Sequence, residues 1–262
     1  MKKTMVILCG MLLILCLVGV ANALTVIGTA AYEGNNYKLI YDDDNNGNSV
    51  VWLDYTNDED AWEAQLSWAS NLDSHLTYNI YESYTVSWND AVWRLSNMTG
   101  NNGVWGYEGD PDNDGIYTYA YGYNLENSEM GHLFYSELGN SGYYNTDGTT
   151  NTYTEPEYFL LNTGDFENLV PDFYWSNLEY TDYQARTFNM ATGYQGATCK
   201  SQNATDAFNT KYGLNPSVQF DPGFGLAIRG ASVTPVPEPA TMLLLGSGLV
   251  GLFGFRRKFR KK

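Results

Sequence analysis

The sequence predicts an α+β domain in which two helices pack against short antiparallel strands joined by long loops, followed by a C-terminal transmembrane helix. Three observations predict it. Tyr37-Lys38-Leu39-Ile40-Tyr41 and Val50-Val51-Trp52-Leu53 flank an Asp/Asn/Gly cluster over 42–48, the pattern of a hairpin. Two segments, 58–72 and 128–138, carry apolar residues at the 3.6-residue helical period. The chain then finishes with Pro237-Glu238-Pro239, an apolar run over 240–255 and a basic cluster opening with Arg256-Arg257-Lys258.

Taken in order, Met1-Lys2-Lys3 is a charged start, 4–20 is apolar, and Ala21-Asn22-Ala23 is a small-x-small cleavage site. Residues 1–23 therefore read as a signal peptide addressed to the Sec translocon, with the mature chain beginning at Leu24. A lipoprotein signal built on Cys16 is the alternative, but Leu15 precedes that cysteine where a small residue is wanted. Cys9 and Cys16 leave with the signal, so Cys199 is the one cysteine of the mature chain and no intramolecular disulfide can form. It reads as a half-buried apolar residue, with a reactive or intermolecular thiol as alternatives.

Residues 24–234 form the exported body, one domain in length. Residues 26–55 give strands around the 42–48 turn. Asp58 or Asp60 caps the first helix, which gathers Ala61, Gln65, Trp68, Ala69 and Leu72 on one face with Trp62 beside it. Residues 73–125 are mixed. Ser128 caps the second helix, whose face carries Met130, Leu133, Phe134, Glu137 and Leu138, and Gly139 stops it. After a polar and aromatic stretch over 140–172, Tyr174-Trp175-Ser176 opens a strand-rich end. Strands over 185–190 and 225–228 bracket a Ser/Asn/Thr-rich insertion at 197–222. No internal repeat is present, and 235–239 is the clear linker.

Charge narrows the partners. The chain carries −16 overall, but Lys2, Lys3 and six basic residues of the tail lie outside the body. Setting them and Glu238 aside leaves 29 acids against 6 bases, a body charge of −23. Nucleic acid and anionic lipid are excluded as ligands, because phosphate needs a basic surface. Such acidity suits divalent cations or neutral polymers, or simply keeps the protein soluble.

The tail has a physical logic. Pro235, Pro237 and Pro239 hold an extended strip that can lie in a protease cleft. The 240–255 run spans roughly 24 Å as a helix, just under a ~30 Å hydrocarbon core. The basic residues hold the end on the cytoplasmic side. An ordinary anchor is the plainer alternative. Val236-Pro237-Glu238-Pro239-Ala240-Thr241-Met242, the Gly-rich apolar run and Arg256-Arg257-Lys258 resemble the PEP-CTERM sorting signal of exopolysaccharide-producing Gram-negative bacteria. That resemblance implies recognition by an exosortase, transient anchoring in the inner membrane through 240–255, processing near Pro237, Glu238 and Pro239, and delivery to the cell surface or extracellular matrix.

The body has a likeness of its own. It rests on Trp62-x-x-Gln65-x-x-Trp68-Ala69, Trp93-Arg94-Leu95, Glu129-Met130-Gly131-His132-Leu133-Phe134, Tyr174-Trp175-Ser176-x-x-Glu179-Tyr180 and Leu226-Ala227-Ile228-Arg229. These strings resemble the Lcl C-terminal-type domain of secreted bacterial proteins, related in fold to C-type lectins and the formylglycine-generating enzyme. Ser96 stands where the family's Trp-Arg-Leu string continues with proline, and about 25 residues separate a last strand pair that is close-spaced in the family. Trp93 and Trp175 would fill the core, each indole N–H needing an acceptor. Arg94 and Arg229 would form buried carboxylate pairs, with Glu179 and Glu167 as partners.

Catalytic signatures are thin. The formylglycine-generating chemistry needs paired cysteines, and the mature chain has one. His75 and His132 are the only histidines, no Gly-x-Ser-x-Gly elbow is present, and His132 fits a structural place on a helix. Paired carboxylates for glycoside hydrolysis carry no signal among so many acids. Two Asp-rich loops match the first half of a calcium loop, Asp42-x-Asp44-x-Asn46-Gly47 and Asp110-x-Asp112-x-Asp114-Gly115. Position twelve is Leu53 in one and Tyr121 in the other, not an acid. The first reads as a hairpin turn. Asp110, Asp112 and Asp114 remain the candidate Ca2+ ligands, with no other cofactor expected. Trp88-Asn89-Asp90 matches a lectin calcium motif only by coincidence of letters. The expectation is a non-enzymatic surface or matrix module, with extracellular polysaccharide as a candidate ligand. A secreted enzyme acting on carbohydrate or protein, and a matrix protein without a discrete ligand, are the alternatives.

Overall fold

The computed structural model describes residues 24–98, 122–152, 159–213 and 220–237. Strands β1 (Leu24–Tyr32), β2 (Asn35–Asn45) and β3 (Asn48–Asp60) are successive antiparallel hairpins. Asn46 and Gly47, with φ of 53° and 80°, form the two-residue turn between β2 and β3. Two successive left-handed residues match the strand twist, and Asn-Gly is the pair that adopts them at least cost. β4 (Thr77–Ile80) pairs with β1, while β5 (Tyr84–Trp88) and β6 (Arg94–Leu95) pair with the last strand. β7 (Phe173–Glu179), β8 (Gln184–Asn189) and β9 (Tyr194–Cys199) form a meander. β10 (Gly223–Pro235) enters between β3 and β7, giving the order β4-β1-β2-β3-β10-β7-β8-β9. Among the described residues every strand pairing is antiparallel except β10 with β7, which meet in parallel at Phe224 and Tyr174.

The molecule is thus built on one large mixed sheet. This overturns the expected α+β arrangement of two helices on short strands, and with it the C-type-lectin-like architecture. The strands are long: 11 residues in β2, 13 in β3 and 13 in β10. Backbone groups make the ladder, so polar side chains do not end it. β3 runs on through Thr56 and Asn57, opposite Leu226 and Gly225. Asp58 and Asp60, expected as helix caps, lie in this strand, and Ala61 precedes the helix with no side-chain cap.

Helix α1 (Trp62–Asn71) leads into a 3₁₀ turn, Leu72–Ser74. The second expected helix is only a short α segment, α2 (Glu129–Gly131), that widens at once into a π-helical turn, His132–Glu137. A third, α3 (Gln202–Tyr212), lies inside the segment read as an insertion. Ser201 caps its start by accepting from the Ala204 N–H, and Gly213 ends it at φ 64°. Its buried residues are Thr205 and Asn209, so it carries no apolar stripe to announce it. Among the described residues no helix is long and apolar enough to cross a membrane. The expected span over 240–255 and the signal peptide over 1–23 lie outside the described residues.

The sheet is covered on both faces. Ile40, Val50, Trp52, Leu226 and Ile228 pack with Met130, Leu133 and Phe134 from the second helical segment. Their immediate neighbours Leu39, Val51, Leu53 and Ala227 turn the other way and pack with Ile27, Leu72 and Trp93. Side chains alternate along a strand, so a run such as Val50-Val51-Trp52-Leu53 feeds both cores. Trp62, Ala69, Leu95, Trp175 and Ala185 form a third, smaller cluster around α1.

Candidate functional site

The residues singled out from sequence separate into a satisfied scaffold and an unsatisfied cluster. Trp93 and Trp175 are completely buried. The Trp93 indole donates to the Tyr78 hydroxyl at 2.7 Å, and the Trp175 indole donates to the Asp60 carbonyl at 3.0 Å. Arg94 donates to both carboxylate oxygens of Glu129 at 2.7 Å each, tying β6 to α2. Arg229 donates to Asp73 at 2.7 Å and to the carbonyls of Asp90 and Ala91 at 3.1 and 2.9 Å, with its guanidinium over the Trp88 ring. The expected arginine partners were Glu179 and Glu167; these instead pair with Lys200 and Lys38. The arginines choose carboxylates that the fold carries to the β6 and β10 region, and sequence distance gives no hint of them. Cys199 is buried and free.

The aromatic excess goes mostly inward. Among the described residues, Tyr81 and Tyr212 are the exposed large aromatics. The tyrosines of the polar stretch pack on one another, as Tyr123 does on Tyr143, Tyr144 and Tyr194. Among the described residues, no sugar-stacking surface of many open rings is formed.

The unsatisfied cluster lies where the β2–β3 turn meets the π-helical turn. A register shift between Asp42 and Asn45 breaks the alternation of β2. Asp42 and Asn45 both face inward at 0 % exposure, while Asp43 and Asp44 face solvent. Across from them, Ser128 caps the second helical segment by accepting the Gly131 N–H at 3.0 Å. Gly131 must lack a side chain, since an added Cβ would overlap the Leu125 carbonyl. The segment then widens: Leu138 N–H donates to the Leu133 carbonyl, a five-residue step. On a regular α-helix residues five apart diverge by about 140°. Here His132 and Glu137 meet, with Nε2 3.0 Å from Oε1. Insertions of this kind are frequent at functional sites.

One ligand-type atom from each of Asp42, His132 and Glu137 lies within 4.8 Å of the others. The Asp42 carboxyl accepts from Asn45 Nδ2 at 2.8 Å and Trp52 Nε1 at 3.3 Å, both through Oδ2. Burial nonetheless pushes its pKa up, because the charged form loses more hydration than two donors return. Glu137 is also pushed up, first by burial and then by the nearby Asp42 charge. The cluster borders an open cleft of about 550 Å³ whose wall includes Asp44, Asn46, Asn124, Glu126, His132 and Ser136. The first Asp-rich loop forms a hairpin turn, with Gly47 N–H donating to Asp44 Oδ1. The second, with Asp110, Asp112 and Asp114, lies outside the described residues. Sequence reading placed His132 on a helix face and Glu137 in an apolar period. Nothing in the 3.6-residue pattern could pair them, and Asn45 gave no signal at all.

At the C-terminal end, the body is folded up to the sorting strip. Pro235 is opposite Tyr84 at the end of β10, and Val236 N–H donates to the Ser83 carbonyl at 2.8 Å. Pro237 is exposed, and Glu238, Pro239, Arg256, Arg257 and Lys258 lie outside the described residues. No curated protein and no solved structure matches the chain. Residues 235–258 match the PEP-CTERM protein-sorting motif. The protein is accordingly an exosortase substrate, exported and sorted to the cell surface.

Proposed function

We propose that the exported body is a non-enzymatic binding module of the cell surface or extracellular matrix, with extracellular polysaccharide as its ligand class. The cleft carries this reading. It has the volume of a small-molecule site. Its wall supplies amide, hydroxyl, carboxylate and imidazole groups that can hydrogen-bond a chain of sugar hydroxyls. Exosortase processing near Pro237–Pro239 would release the body from a temporary membrane handle formed by 240–255. Pro237 supports that reading, being exposed just after the Val236 N–H contact with the Ser83 carbonyl. Within the buried cluster Asp42 has no exposed surface and the Glu137 side chain is 7 % exposed, so the polymer would meet the cleft wall rather than this pair.

Two measurements test this. The exported protein is screened on a glycan array and by calorimetry, together with an Asn124→Ala, Glu126→Gln double variant at the cleft wall. Saturable polysaccharide binding that the variant weakens, with no new reducing ends, supports the module. Absence of binding, or appearance of cleaved product, sinks it. Deleting 237–262 should leave the chain mislocalised; surface delivery in the same processed form would refute the handle.

A further inference from the structure

We propose that Asp42, Asn45, His132 and Glu137 form a binding site for a divalent first-row transition cation of the Zn2+ or Mn2+ class. The argument begins with atoms that have no partner. Asp42 Oδ1, Asn45 Oδ1 and Glu137 Oε2 are all buried and accept no hydrogen bond. A buried acceptor without a donor is destabilising, and here Asp42 and Glu137 bring theirs together from a strand and a helical turn, with Asn45 hydrogen-bonded to Asp42. Asn45 is the independent member, being neither acidic nor part of the carboxylate–histidine group. Its Nδ2 is held by Asp42 Oδ2 at 2.8 Å and by the Glu129 carbonyl at 3.2 Å, which leaves its Oδ1 without a donor.

A proton does not resolve this arrangement. One proton gives one donor and serves one orphan oxygen, whereas a cation is shared by every oxygen it touches. Two carboxylates would balance the charge of a dication. The three ligand atoms lie within 4.8 Å of one another, close enough for an ion to draw them in. It would take the place of the His132 Nε2–Glu137 Oε1 hydrogen bond of 3.0 Å, a separation near the roughly 3 Å edge of an octahedron with ~2.1 Å bonds. The imidazole selects the class, because Ca2+ and Mg2+ favour all-oxygen shells whereas imidazole with carboxylate suits transition ions. Support around the ligands is present as well. Trp52 and Asn45 both donate to Asp42 Oδ2, so the carboxylate is oriented with Oδ1 left for the ion. His132, with a side chain 17 % exposed, lines the cleft and offers the way in. The site stands whether or not the cleft takes a polysaccharide.

The exported protein, purified from the cell surface, stripped with EDTA and dialysed, is titrated with Zn2+, Mn2+ and Ca2+. Binding is followed by calorimetry and thermal melting. One equivalent of Zn2+ or Mn2+ with a raised melting temperature is expected. X-ray absorption of the Zn2+-loaded protein should show imidazole nitrogen in the coordination shell. Asp42→Asn and His132→Gln should each weaken binding about tenfold or more. No stoichiometric binding by the natively folded protein, a response to Ca2+ alone, or unchanged affinity in both variants overturns the proposal. If the variants do not fold, the absorption spectrum of the wild-type protein decides, and a shell without imidazole overturns it.

Discussion

Two buried polar groups in this protein invite comparison. Around Arg229, the three guanidinium nitrogens find Asp73, Asp90 and Ala91, and the cation lies over Trp88. Around Asp42, three oxygens have no donor. Both groups sit against the same sheet, β10 for one and β2 for the other. The difference teaches which buried polarity is structural. A satisfied network repays its own desolvation and holds strands in place, while an unsatisfied one lowers stability unless something else arrives to complete it. The first belongs to the fold, and the second carries the proposed cation site.

The contrast can be broken by substitution. Arg229→Ala strips the Asp90 and Ala91 carbonyls of their donor and leaves Asp73 only the Tyr78 hydroxyl, and should cost about 3–5 kcal/mol in urea unfolding. A loss under about 1 kcal/mol would erase the distinction. Arg94→Ala should cost about 3 kcal/mol, at the low end because Arg94 keeps 29 % exposure. Saturating the cluster with Zn2+ at a hundredfold over Kd should raise unfolding free energy by about 2.7 kcal/mol, and EDTA should remove the gain. Ser128→Ala, which removes the cap that starts the π-turn, should cost about 1 kcal/mol. Smallest of all, Asp42→Asn without metal should change stability by no more than about 1 kcal/mol in either direction, because the amide keeps an acceptor for Asn45 and sheds a charge that was poorly solvated. A loss as large as that of Arg229→Ala would show that the carboxylate is a structural partner after all.

Legibility followed locality. The Asn46-Gly47 turn, the Ser128 cap and the strand character of Val50-Val51-Trp52-Leu53 are set by residues that touch their neighbours in sequence. So is the sorting strip, since proline stiffness and apolar length need no tertiary context. The strand lengths were not legible, because Thr56, Asn57 and Asp60 look like loop residues until their backbone is paired. Nor was α3, whose caps at Ser201 and Gly213 enclose residues with almost no apolar face. The site was half legible. Asp42 stood out within an Asp-rich loop and His132 as one of two histidines, but neither carried a sign of the other. Joining them needed a bulge that turns Asn45 inward and a π-turn that brings residues five apart together.

The sequence by itself determined the destination of this protein and its overall charge: a sorting tail over 235–258, and a strongly acidic body. The tertiary structure alone decided that the body is one mixed sheet with both faces covered, and that four polar side chains from 42–45 and 132–137 converge. The reason is range. A sorting tail is read as an extended strip, so its information is linear. A buried site exists only where backbone pairing, strand irregularity and helix widening bring distant residues to within a few ångströms.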